Sequence, residues 1–279
     1  MPERQIIELA GGERLAYLQS GDGRDVLLIH GMLTTSHEMW LALFGALSTR
    51  YRVTAVDRPG HGLSTRKRLA ASPQSQARAI MQGARSLGLQ RPIVVGHSLG
   101  ATVAVHIALA FPDEVAGIVA IAPLAFPEPR LETLLFGLRG LPGLGDAAAS
   151  FNHVGPDVSL LPMLWRAMFL PQTMAPSFRD NFPFGEVSRG GSMRATGEDS
   201  VETPLALIDS VFRYRACQTP ISVITGSADA VVNPFLHAVP LSKLLGRSKV
   251  EIVDGMGHML HHFKPEIISR EVDELAHAK

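Results

Sequence analysis

Short apolar runs recur along the chain, spaced by stretches with the period of helices. Residues 25–29, 92–95, 115–121 and 220–225 are dominated by apolar side chains, the pattern of strands covered on both faces. Residues 52–56 and 250–253 extend the series, and 5–9 with 15–19, around Ala10-Gly11-Gly12-Glu13, form an opening hairpin. Helices are predicted over 36–47, 75–87, 101–110, 234–245 and 265–276. Strands alternating with helices of this length imply parallel βαβ units. The expected fold class is α/β, a doubly wound, mostly parallel eight-stranded sheet flanked by helices.

This rhythm stops after the sixth strand. Residues 124–203 contain no strand-like run, and prolines such as Pro127, Pro142, Pro162, Pro171 and Pro183 separate short helical pieces. A stretch of that length without sheet signal implies a helical insertion with its own small core. The chain therefore divides into a core of residues 1–123 and 204–279 and an insertion of 124–203. Candidate substrate-binding side chains are Phe126, Trp165, Met168, Phe169 and Met259, with Phe151 a further pocket candidate. Apolar, Met-rich walls favour a hydrophobic acyl or aromatic substrate over a sugar or phosphate.

Chemistry concentrates at Gly96-His97-Ser98-Leu99-Gly100, between a predicted strand and a predicted helix. A serine on so sharp a turn sits in strained backbone, and Cβ atoms two residues either side would clash. Two more stretches follow strand ends: Gly226-Ser227-Ala228-Asp229 and Asp254-Gly255-Met256-Gly257-His258. In a parallel sheet the carboxyl ends share one edge, so Ser98, Asp229 and His258 converge on one crevice. A serine hydroxyl needs an imidazole to take its proton, and the imidazole needs a carboxylate to fix its tautomer. Asp254 is the weaker orienter, and His261 and His262 lie past the strand end. His30, His61, His97 and His106 are read as structural, and Asp57 as a brace for its glycine turn.

Charge narrows the partners. Lys+Arg 26 balances Asp+Glu 26, which argues against nucleic acid or an anionic membrane as the main partner. The triplet Arg66-Lys67-Arg68 reads as a solvated loop. Cys217 is the single cysteine, so an internal disulfide is excluded. With no carboxylate or cysteine at ligand spacing around residues 258–262, no metal and no cofactor are expected. No apolar leader opens the chain, and the expected location is cytoplasmic, as monomer or homodimer.

The chain resembles the α/β-hydrolase fold superfamily, in its serine-nucleophile branch, over essentially its whole length. The resemblance rests on His30-Gly31, Asp57-Arg58-Pro59-Gly60-His61-Gly62-Leu63-Ser64, the turn at Ser98, Gly226-x-x-Asp229 and Gly257-His258. It implies an oxyanion hole of backbone N–H groups on Met32 and Leu99, and a lid formed by the helical insertion. The activity it implies is a serine hydrolase cleaving a carboxylic ester of a small hydrophobic substrate through an acyl-enzyme on Ser98. The same triad serves C–C bond hydrolases and lactonases. A ligand-binding receptor on this fold is the alternative from another class.

Overall fold

The computed structural model describes residues 2–149 and 156–278, so Phe151 lies outside the described residues. Strands β1 (Gln5–Glu8), β2 (Arg14–Ser20), β3 (Arg24–Ile29), β4 (Tyr51–Val56), β5 (Ile93–His97), β6 (Gly117–Ile121), β7 (Ile221–Gly226) and β8 (Ser248–Val253) form one sheet. Their order is β1-β2-β4-β3-β5-β6-β7-β8. β1 and β2 pair antiparallel, as does β2 with β4; all later pairings are parallel. The α/β class with a mostly parallel eight-stranded sheet is therefore observed.

The helices are α1 (Ser36–Leu47), α2 (Pro73–Ser86), α3 (Leu99–Ala110), α4 (Leu131–Gly140), α5 (Leu144–Ala149), α6 (Pro156–Met168), α7 (Pro176–Asn181), α8 (Phe184–Val187), α9 (Gly190–Arg213), α10 (Ala238–Leu244) and α11 (Pro265–His277). Alternation along the strands makes two cores. Val26 and Leu28 of β3 face the α1 and α11 layer, and Leu27 and Ile29 face the α2, α3 and α10 layer. Both faces are thus covered, which explains the apolar runs.

Helices α4 to α9 occupy the connection from β6 to β7 and pack around a third cluster that includes Phe136, Trp165, Phe169 and Phe178. The boundary expected at residue 203 falls inside α9, which runs through Pro204 without a break. Proline cannot donate to the carbonyl four residues back. Here that carbonyl, on Ser200, accepts the Thr133 hydroxyl of α4 at 2.8 Å. A neighbouring helix thus replaces the bond that Pro204 removes. Among the described residues no helix is long and apolar enough to cross a membrane.

Candidate active site

β5 ends at His97 and α3 starts at Leu99, so Ser98 alone makes the turn, at φ 53° and ψ −121°. Such backbone costs on the order of 1–3 kcal/mol and persists only when its surroundings hold it. The Ser98 N–H donates to the Ile121 carbonyl at 2.8 Å, and its own carbonyl accepts the Ala101 N–H at 2.9 Å. A Cβ on Gly96 would fall 2.7 Å from the Ala101 Cα, and one on Gly100 would overlap the Ile29 and His30 carbonyls. The two glycines are steric requirements of the turn.

Asp229 lies just past β7. Its Oδ1 accepts the N–H groups of Val231 at 2.8 Å and Val232 at 2.9 Å, which aims Oδ2 at His258 Nδ1, 2.8 Å away. With Nδ1 donating to Asp229, Nε2 is the nitrogen left to accept a proton. Asp254 turns elsewhere and accepts the Ser227 hydroxyl at 3.1 Å. Ser98, His258 and Met32 all line one cavity of about 360 Å³. Gly31 packs so close to the nucleophile that a Cβ on it would lie 3.2 Å from the Ser98 Cβ. The Gly31–Met32 peptide is thereby set beside Ser98. Among the described residues, no hydrogen bond uses the N–H of Met32 or Leu99.

Of the five candidate substrate contacts, Met168 lines the cavity, together with Leu33, Leu135, Leu164 and Leu170. The other four are packed elsewhere. Phe126 sets its ring edge-on to Tyr214 in the α2–α3 core. Trp165 donates Nε1–H to the Leu33 carbonyl at 2.9 Å and packs on Phe184. Phe169 is held between Phe178 and Phe263, and Met259 is buried in that same cluster. These large side chains are consumed in joining short helices to one another and to the core. Arg130 reaches the cavity already paired, with Glu128 at 2.5 Å and Glu132 at 2.7 Å.

Two buried carboxylates beside the site carried no sequence signal. Asp199 of α9 accepts hydrogen bonds from Arg58 at 2.7 Å, Arg66 at 2.7 Å, His61 at 2.9 Å and Gln76 at 3.1 Å. Arg66 also donates to Glu198 at 2.8 Å, and Arg68 reaches Glu198 at 2.5 Å. The basic triplet is therefore not a solvated loop: Arg66 is buried and Arg68 half-buried against α9, and only Lys67 projects outward. Burial would raise the Asp199 carboxyl, but Arg66, Arg58 and His61 overcome it and hold it below its ordinary range. Burial and the nearby Arg58 push His61 down to about 4, so it stays neutral.

Glu38 of α1 is the second. Its Oε1 accepts from His261 Nε2 at 2.5 Å and His262 Nε2 at 3.0 Å. His97 lies between His261 and His258 with its ring tilted to both, centroids at 4.3 and 4.6 Å, and its Nε2 meets the His258 carbonyl at 3.1 Å. Burial would raise Glu38, yet His261 above all holds its carboxyl well below the ordinary value. Burial lowers His261 itself. The spacing around residues 258–262 offers no carboxylate, and Glu38 reaches these histidines from a distant helix. Ligand atoms of Glu38, His97 and His261 lie within 4.8 Å of one another. The 2.5 Å contact is nonetheless a hydrogen bond in form. Two ligands of one zinc ion, at bonds of about 2.0–2.1 Å, would stand more than ~3 Å apart.

His30 accepts the Arg58 N–H at 2.8 Å, and His106 meets the Thr102 carbonyl at 2.8 Å, both as structural parts. Asp57 braces its loop through the N–H groups of Ser36 and Leu63, both at 2.9 Å.

Known proteins share this plan. The chain is 27% identical over 257 residues to the 2-(acetamidomethylene)succinate hydrolase of Mesorhizobium japonicum, covering 91% of this chain and 88% of that protein. It is 27% identical over 264 residues to the pimeloyl-[acyl-carrier protein] methyl ester esterase of Vibrio cholerae, covering 93% of this chain and 89% of the relative. An alpha/beta hydrolase fold protein from Burkholderia ambifaria superposes with a TM-score of 0.76 at 18% identity, over 98% of this chain and 100% of that one. Strand order, strained serine turn and histidine–aspartate pair agree with the match of residues 26–265 to the alpha/beta hydrolase fold model, and the chain belongs to that family.

Proposed function

We propose that the protein is a serine hydrolase that cleaves a carboxylic ester of a small, largely hydrophobic substrate through an acyl-enzyme on Ser98. The observation that carries this reading is the 2.8 Å bond between His258 Nδ1 and Asp229, beside a cavity that also contains Ser98. Ser98 Oγ attacks the ester carbonyl carbon while His258 Nε2 takes its proton, and Asp229 stabilises the imidazolium. The oxyanion is met by the Met32 and Leu99 N–H groups, each worth about 3 kcal/mol of barrier. Collapse expels the alcohol, protonated by His258. Water, deprotonated by the same imidazole, then attacks the acyl-enzyme and releases the acid. Helices α4 to α9 act as the lid that keeps bulk water from the cavity.

The esterase and hydrolase names of the two relatives support this reading, and the apolar walls supplied by Leu135, Leu164 and Met168 suit a hydrophobic substrate. The test is Ser98→Ala. Loss of a triad nucleophile costs on the order of 10⁶ in kcat. Turnover near that of the unaltered protein would place the nucleophile elsewhere.

A further inference from the structure

Ser98 lines two spaces of very different size. The cavity of about 360 Å³ contains His258, Ala230 and Val231. Ser98 also lines a pocket of about 30 Å³, which contains Leu99 but not His258 and shares Met32, Arg130 and Glu132 with the larger cavity. Its walls include Leu124, Thr133 of α4, and Asp199, Ser200 and Thr203 of α9. About 10–15 Å³ is enough for one water molecule, so this pocket holds one or two heavy atoms.

The proposed reaction decides which part of the ester goes where. In the tetrahedral intermediate the carbonyl carbon carries Ser98 Oγ, the oxyanion, the alcohol oxygen and the acyl carbon. His258 must give its proton to the alcohol oxygen, so the alcohol portion extends on the His258 side, into the large cavity. The acyl substituent is left with the space beside Leu99, which His258 does not line.

We infer that the enzyme is selective for short acyl groups, of acetyl to propionyl size, carried on a bulky and largely apolar alcohol. This rests on the serine hydrolase reading above and names its substrate class. The small pocket is not free to widen. Asp199, in its wall, is held by Arg58 and Arg66 at 2.7 Å each, and Ser200 is tied to Thr133 at 2.8 Å. Thr203 is buried and its hydroxyl has no hydrogen-bond partner among the described residues, so removing it orphans no neighbour.

The test holds the alcohol constant and varies the acyl chain, with p-nitrophenyl acetate, butyrate and octanoate. Forcing extra methylenes against a packed wall is expected to lower kcat/KM about tenfold or more from acetate to butyrate, and further to octanoate. Thr203→Ala and, independently, Leu124→Ala should raise the butyrate-to-acetate ratio several-fold. Thr203→Val, which keeps the volume, should leave that ratio near its original value. Equal or rising kcat/KM toward octanoate, with the acyl group mapped to Ser98, overturns the selectivity and leaves the hydrolase reading intact. Failure of every ester to acylate Ser98 overturns both.

Discussion

Asp199 and Glu38 are both fully buried carboxylates, and they are held by partners of different kinds. Asp199 has two arginines, a neutral histidine and a glutamine around it. Glu38 has, among the described residues, histidine partners only, and its second oxygen bonds to nothing. Arginine keeps its charge at any pH a protein meets, whereas histidine changes charge near neutrality. The first cluster is a permanent clamp that ties α9 to the loop after β4. The second is a brace under the turn that carries His258, a carboxylate held by imidazole side chains.

Breaking the clamp is the largest expected effect. Asp199→Ala leaves Arg58 and Arg66 buried without their shared anion, a loss of about 3–5 kcal/mol. Thermal denaturation of the purified variant checks this, and a melting temperature within a degree or two of the unaltered protein would refute the clamp. Glu38→Gln should cost less, about 1–3 kcal/mol, because its partners can persist as neutral imidazoles. A cost equal to that of Asp199→Ala would mean that the Glu38 cluster holds a full ion pair.

The same comparison extends to pH dependence. Burial lowers His261 and His97, and pushes His61 and His106 down to about 4. Between the unfolded value near 6.5 and the depressed folded values, the unfolded chain binds protons that the folded one refuses. Stability is therefore fully present above about pH 6.5 and is lost as the pH falls toward 4, by about 1.4 kcal/mol per pH unit for each such histidine. Chemical denaturation across this range should show the slope, and His106→Gln should flatten it by about one proton. A stability that is flat over the window would contradict neutral burial of these groups.

Much of the site was legible because its signals are local. The glycines around Ser98, and the placement of Asp229 and His258 just past strand ends, follow from chain geometry over a few residues. Helix α1 occurs at the bounds that hydrophobic periodicity marks, Ser36–Leu47. What was not legible depends on partners far along the chain. Arg66 looks like a surface cation until α9 delivers Asp199, and Glu38 looks like an ordinary helix residue until His261 arrives beside it. The aromatic residues misled for a related reason. Composition marks Trp165 and Phe169 as apolar, but only packing distinguishes a cavity wall from the contact between two short helices.

The most direct test of the central claim is a pre-steady-state burst of p-nitrophenol from p-nitrophenyl acetate, followed by intact mass and peptide mapping. A burst stoichiometric with enzyme and an acetyl adduct on Ser98, both absent from Ser98→Ala, is the expected result. Turnover without an adduct at Ser98, or an undiminished burst in Ser98→Ala, would contradict it.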